Sequence, residues 1–187
     1  PNRIMLCGDT GQRIFLQGFS WKAHGIEVLG RSVTLHVNYR TSHQIRQCAD
    51  RLLDPDLHDV DGNEESRSST VSVFNGMKPI ITVYESQVLE KKAILEWIGN
   101  RIEEGLLPHE ICLCVRSVGE IGRAHEVALD SGLPFIVLDD HVETVQGKLA
   151  LCTLHHAKGL EVRAVAVMAC DDGVLPSQDR MDSVTDT

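Results

Sequence analysis

Several things are missing from this chain, and each absence narrows what it can be. The apolar runs, 149–152 and 164–169 among them, fall far short of the roughly 18 residues that cross a bilayer. No signal peptide is visible in this stretch, and no membrane partner is expected. A basic excess is also missing: 27 acidic against 18 basic side chains give a formal net charge of −9. A free-standing nucleic-acid binder usually carries a basic balance. Contact with nucleic acid would therefore run through a local channel shared with other parts, not through the overall field. None of the six cysteines, at positions 7, 48, 112, 114, 152 and 170, forms a CxxC pair. Five of them lie in apolar segments. Buried free cysteine behaves as a small hydrophobe, so reduced core thiols and a cytoplasmic setting are expected rather than disulfides. The nine histidines show no ligand spacing, and the adjacent His155 and His156 would point opposite ways in extended chain. No metal site is expected. Internal repeats, heptads and low-complexity runs are missing too.

What remains is ordinary globular composition, 42% hydrophobic and 24% charged over 187 residues. That suffices for one sizeable domain with a smaller appendage. The chain starts at Pro1 and enters a strand-like run at 4–7 almost at once, which suggests a piece of a longer protein.

Taken in order, the first strand ends in Gly8-Asp9-Thr10-Gly11-Gln12-Arg13, a tight loop by its glycines. Phe15, Phe19 and Trp21 follow, either as a stacking surface for bases or as core. A strand is expected over 33–37, then Asn38-Tyr39-Arg40-Thr41-Ser42, then a helix with Thr41 and Gln44 as a capping box. Its apolar face would be Ile45, Cys48, Ala49, Leu52 and Leu53. Tyr39 and Arg40 thus precede a helix N-terminus, where anions bind readily. The acidic stretch 54–75 reads as an exposed, mobile connection; its spacing does not match a calcium-binding EF-hand. Strands follow at 80–84, 111–115, 135–138, 149–152 and 164–169. Amphipathic helices alternate with them at 86–104 and after Ser117, where Ser117 and Glu120 form a capping box. Gly105 and Gly132 stop the two helices. This alternation predicts an α/β fold with a parallel sheet flanked by helices.

Three polar loops, 8–15, 38–42 and 153–161, stand at strand ends, where parallel sheets collect ligands. The phosphate-cradling Gly-x-x-x-x-Gly-Lys-Ser/Thr is nowhere in the chain. Nor does an apolar strand end in a paired acidic box suited to magnesium; Asp171-Asp172 comes nearest, in a Gly-Pro turn. The three loops therefore read as half of a site.

Gly8-Asp9-x-x-Gln12-Arg13-Ile14, Leu35-x-x-Asn38-Tyr39-Arg40-Thr41-Ser42-x-Gln44-Ile45 and Thr153-Leu154-His155-x-Ala157-Lys158-Gly159-Leu160-Glu161 resemble, in this order, motifs III, IV and V of the UvrD/Rep/PcrA family of superfamily 1 DNA helicases. The resemblance implies a RecA-like domain of the P-loop NTPase type without its own Walker A motif. It implies that 1–30 close the first motor domain, that 31–176 form the second RecA-like domain, and that 177–187 are a polar tail. The parent would be an ATP-dependent helicase, an ATP hydrolase acting on single-stranded or partly duplex DNA in the cytoplasm, for example in repair. The fragment would be inactive alone.

By the same resemblance Gln12 senses the γ-phosphate and couples it to DNA, Tyr39 stacks on adenine, and Arg40 is an arginine finger. Gly159 and Glu161 meet the ribose or phosphate side of ATP. Thr153 and His155, with Arg116, touch the single strand. Magnesium ligands belong to the missing upstream part, and the remainder of the helicase chain is the obligate partner. Four features depart from the family: motifs I and II, expected upstream, are absent, motif VI is absent, position 162 is Val where Phe is usual, and motifs IV and V are too close to enclose a large inserted subdomain. The acidic charge and Val162 fit a second reading, a non-catalytic interaction module of helicase ancestry. A fused nuclease is outside what this stretch tests.

Overall fold

The computed structural model describes residues 20, 22–26, 33, 35–52, 56–58, 64–66, 70–139 and 143–176. The first loop with Gln12, the aromatic residues 15, 19 and 21, Leu53 and the tail 177–187 lie outside the described residues. The chain divides into two compact units, 1–82 and 83–187.

In the first unit, β1 (Val37–Asn38) pairs in parallel with β4 (Val71–Ser72), and β2 (Asp56–His58) pairs antiparallel with β3 (Glu64–Ser66). The stretch 54–75, expected as a plain connection, thus carries three short strands. β1 is much shorter than the expected strand at 33–37, and Val33 and Leu35 are exposed. The helix α1 (His43–Asp50) ends before Leu52, which is 88% exposed. Its N-cap is Ser42 rather than Thr41: the Ser42 hydroxyl accepts the Ile45 amide at 3.4 Å. The expected capping box fails because Gln44 is drawn elsewhere. Its Oε1 accepts the Gly76 amide at 2.7 Å, and its Nε2 donates to Asn75 Oδ1 at 3.2 Å.

The expected strand at 80–84 has no ladder, and Ile80, Ile81 and Val83 are exposed. Strand-favouring side chains do not make a strand without a partner for the backbone.

The second unit is an α/β arrangement on a four-stranded, wholly parallel sheet. Its helix α2 (Gln87–Glu103) is capped by Ser86, whose hydroxyl accepts the Leu89 amide at 3.3 Å. The centre is β5 (Ile111–Val115), an unbroken apolar run buried on both faces, as parallel strands require. Ser117 and Glu120 form the expected capping box: Glu120 Oε2 accepts the Ser117 amide at 2.9 Å, over a short turn leading into α3 (Ile121–Ser131). Gly132 ends α3 with φ +69°, a left-handed position that suits glycine. β6 (Phe135–Val137), β7 (Leu149–Thr153) and β8 (Ala164–Val167) complete the sheet in the order β6-β7-β5-β8.

Both helices lie on one face. Ile98 of α2 and Ala124, Val127 and Ala128 of α3 pack with Ile111, Leu113, Val115, Leu149 and Leu151. Among the described residues of this unit, no helix packs on the opposite face. Cys112, Cys114, Ala150 and Cys152 are covered there by Leu154, Ala157, Leu160 and Val162 of the β7–β8 connection. Among the described residues, no helix is long and apolar enough to cross a membrane.

Candidate functional site

Strand order creates the site. β5 is followed by α3 and crosses behind β7 to reach β6, on the helix face. β7 is followed by the 154–163 segment and crosses β5 to reach β8, on the opposite face. The two connections run in opposite directions on opposite faces, as a common right hand of crossover requires. The carboxyl ends of the neighbours β5 and β7 thus form a topological switch point, the place where open parallel sheets bind ligands.

Val115 pairs with Thr153 at this edge, and the Leu154 amide donates to the Val115 carbonyl at 2.8 Å. Arg116, Thr153 and His155 are therefore brought to one end of the sheet, on two adjacent strand ends. Thr153 is buried, 6% exposed. Its hydroxyl accepts the His156 amide at 3.4 Å, and its carbonyl accepts the Ala157 amide at 3.0 Å. Thr153 thus shapes the turn that carries His155, which is exposed, while Arg116 is half-buried.

The turn itself is two-sided. Leu154, Ala157, Leu160 and Val162 pack down onto the sheet, whereas His155, Lys158, Gly159 and Glu161 are exposed. Gly159 has φ +88°, and glycine reverses the chain there without a Cβ penalty. Gly159, Leu160 and Glu161 line an open depression of about 350 Å³ together with Glu143 and Thr144. Two carboxylates at its rim favour hydroxyl or ammonium donors and repel phosphate. Of the two ATP parts implied for Gly159 and Glu161, the ribose fits this chemistry.

Tyr39 and Arg40, which the resemblance assigns to the nucleotide, stand in the first unit. Asn38 Oδ1 accepts the amides of both Arg40 and Thr41 at 2.9 Å, an Asx turn that fixes the backbone under Arg40. Tyr39 is 74% exposed and Arg40 is exposed.

One cluster escaped the sequence pattern. The Sγ atoms of Cys112, Cys114 and Cys152 lie 3.6, 3.5 and 3.2 Å apart in pairs, and all three residues are buried. The signal was present: Cys112 and Cys114 alternate onto one face of a strand, and Cys114 is the register partner of Cys152. The first relation was legible, but the second needs the strand order. Hydrogen bonds to Cys114 and Cys152, then burial, push the Cys112 thiol up. Hydrogen bonding with Cys112 and Cys114 draws the Cys152 thiol below its ordinary range.

No family model, curated protein or solved structure matches the chain.

Proposed function

We propose that the chain is part of the second, RecA-like motor domain of a UvrD-like superfamily 1 DNA helicase, contributing part of an ATP cleft and part of a single-strand track. The observation that carries this reading is the switch point: the side chains implied to meet DNA, Arg116, Thr153 and His155, gather at the carboxyl ends of two adjacent parallel strands. Two residues of the third motif, Thr153 and His155, and with them Arg116, thus stand at the kind of strand-end position where parallel sheets bind ligands, which supports the reading. The Asx turn beneath Arg40 is a second support, because a finger acts only from a fixed backbone.

In the intact motor, ATP and Mg²⁺ are held chiefly by the first domain. Arg40 neutralises charge developing on the γ-phosphate, Gln12 reports the state of that phosphate, and Tyr39 stacks on adenine. Glu161 accepts from the ribose beside Gly159. His155 and Arg116 contact the DNA backbone, and Thr153 holds the turn. Closure on ATP and opening after hydrolysis advance the single strand. The fragment alone lacks the P-loop and is inactive.

The test uses the full-length parent. Arg40→Ala is expected to cut DNA-stimulated ATP turnover by about 10³ or more while leaving ATP binding nearly intact. Arg116→Ala and His155→Ala are expected to weaken single-strand binding. An Arg40→Ala protein that keeps full DNA-stimulated turnover overturns the finger assignment. A parent without any DNA-stimulated turnover favours the interaction module, the reading to which the net charge of −9 lends weight.

A further inference from the structure

The sheet face covered by the β7–β8 connection carries a set of groups that the helicase reading does not use. Cys112 and Cys114 project from β5 and Cys152 from β7, with all three residues at most 1% exposed. Their Sγ atoms form a triangle with edges of 3.2, 3.5 and 3.6 Å. Two core thiols meet often enough by chance. Three that converge on one point, each from a rigid strand, make a ligand set of a single soft type.

We propose that Cys112, Cys114 and Cys152 form a binding site for one Zn²⁺ ion. The geometry accepts the ion almost as it stands. A zinc about 2.3 Å from each sulfur would sit about 1.2 Å above the plane of this triangle. An ideal tetrahedron asks for S···S edges of about 3.8 Å, so each edge opens by a few tenths of an ångström. Zinc is favoured by three thiolates without oxygen ligands, whereas magnesium and calcium are not. The protein supplies three corners of the tetrahedron, and a water or hydroxide carried in with the ion takes the fourth.

Binding is acid–base chemistry without redox change. Three Zn–S bonds form, three S–H bonds break, and three protons pass to solvent, less any already lost. The covering turn, through Leu154, Ala157 and Leu160, then closes over a cross-link between β5 and β7. The site lies beneath the strand ends that carry Arg116 and Thr153, but the inference does not depend on what they bind.

The experiment uses the full chain, reduced, equilibrated with ZnCl₂ and freed of excess by gel filtration. Metal analysis is expected to find about one zinc per chain. Cys112→Ala, Cys114→Ala and Cys152→Ala should each lower that by at least about fivefold, whereas a Cys48→Ala/Cys170→Ala double variant keeps it. Cobalt in place of zinc should give a thiolate-to-metal charge-transfer band in the wild type. If an alanine variant fails to fold, the wild type still decides: zinc at about 100 times its dissociation constant must raise the melting temperature. A folded wild type that retains no zinc overturns the proposal, as does equal retention by the three alanine variants. If the protein instead emerges with a Cys114–Cys152 disulfide and holds no zinc once reduced, the cluster is a redox pair and the proposal fails.

Discussion

Replacing Glu90 with alanine should loosen the second unit more than any other single change among its polar side chains. Glu90 stands in the first turn of α2 with its side chain 14% exposed. One carboxylate oxygen pairs with Arg123 of α3, itself 19% exposed. The other accepts the Ala169 amide at 2.9 Å. Ala169 follows β8 with φ +57°, a left-handed conformation costing an L residue about 1–2 kcal/mol. The Glu90 carboxylate therefore holds a strained backbone in place while joining two helices. Arg123 continues the chain of charge to Asp171, which is 49% exposed.

A hydrogen bond to a charged group contributes about 1.5–3 kcal/mol. A partly exposed ion pair adds no more than about 1 kcal/mol. The 3–5 kcal/mol for breaking a fully buried pair is an upper limit. Glu90→Ala should thus cost about 2–3 kcal/mol, or a melting temperature lower by about 10–20 °C for a unit of this size. Glu90→Gln keeps the acceptor for Ala169 and should lose about half as much. Asp171→Asn, at the exposed end, should cost less than about 1 kcal/mol. Urea unfolding followed by circular dichroism and by the fluorescence of Trp97 on α2 measures all three. A Glu90→Ala loss under about 0.5 kcal/mol, or an Asp171→Asn loss as large as that of Glu90→Ala, refutes this reasoning.

Leu113→Ala, in the middle of the central strand and fully buried, should cost about 2–5 kcal/mol in the same unfolding assay; a cost below about 1 kcal/mol would show that the core closes over the cavity. Gly76→Ala would set a Cβ 3.0 Å from both Cβ and Oγ of Ser42, the α1 N-cap. It should speed hydrogen exchange at the Ile45 amide, reflecting about 1–2 kcal/mol of lost capping. The Glu110 carboxyl is held below its usual range, first by the Leu107 amide at 2.9 Å and then by Arg163. A lowered carboxylate adds stability that is full above its unfolded value and is lost as pH falls through its folded one. Glu110→Gln should therefore flatten the acid side of the melting-temperature profile, and a profile parallel to wild type would remove Glu110 from the acid response.

The most legible elements were those whose signal is local. The run at β5 reads as buried because every residue in it is apolar, and α2 and α3 announce their ends through Ser86, Gly105 and Gly132. The run at 80–84 has the same strand-favouring character yet forms no ladder among the described residues, because a ladder is decided by residues far away in sequence. The cap of α1 moved from Thr41 to Ser42 for the same kind of reason: Gln44 found the Gly76 amide 32 residues on. For the site, the polar loops 38–42 and 153–161, after β1 and β7, were visible in sequence order. That β7 inserts between β5 and β6, which sets Arg116 beside the 153–161 turn, was not. The thiol cluster was hidden by the same step, since Cys152 joins Cys112 and Cys114 only through that insertion.

The two-sided turn after β7 has a thermodynamic consequence. Its apolar residues, Leu154, Ala157, Leu160 and Val162, are the roof of a sheet face on which no helix of the described residues packs. They cannot detach without exposing that face. The exposed residues between them, His155, Lys158 and Glu161, therefore stand on a backbone whose conformational freedom was surrendered during folding. A ligand meeting them finds little left to order. Selectivity is thus open to substitution at the upward-facing positions, while the loss of a downward-facing one removes part of the roof and is felt as instability first.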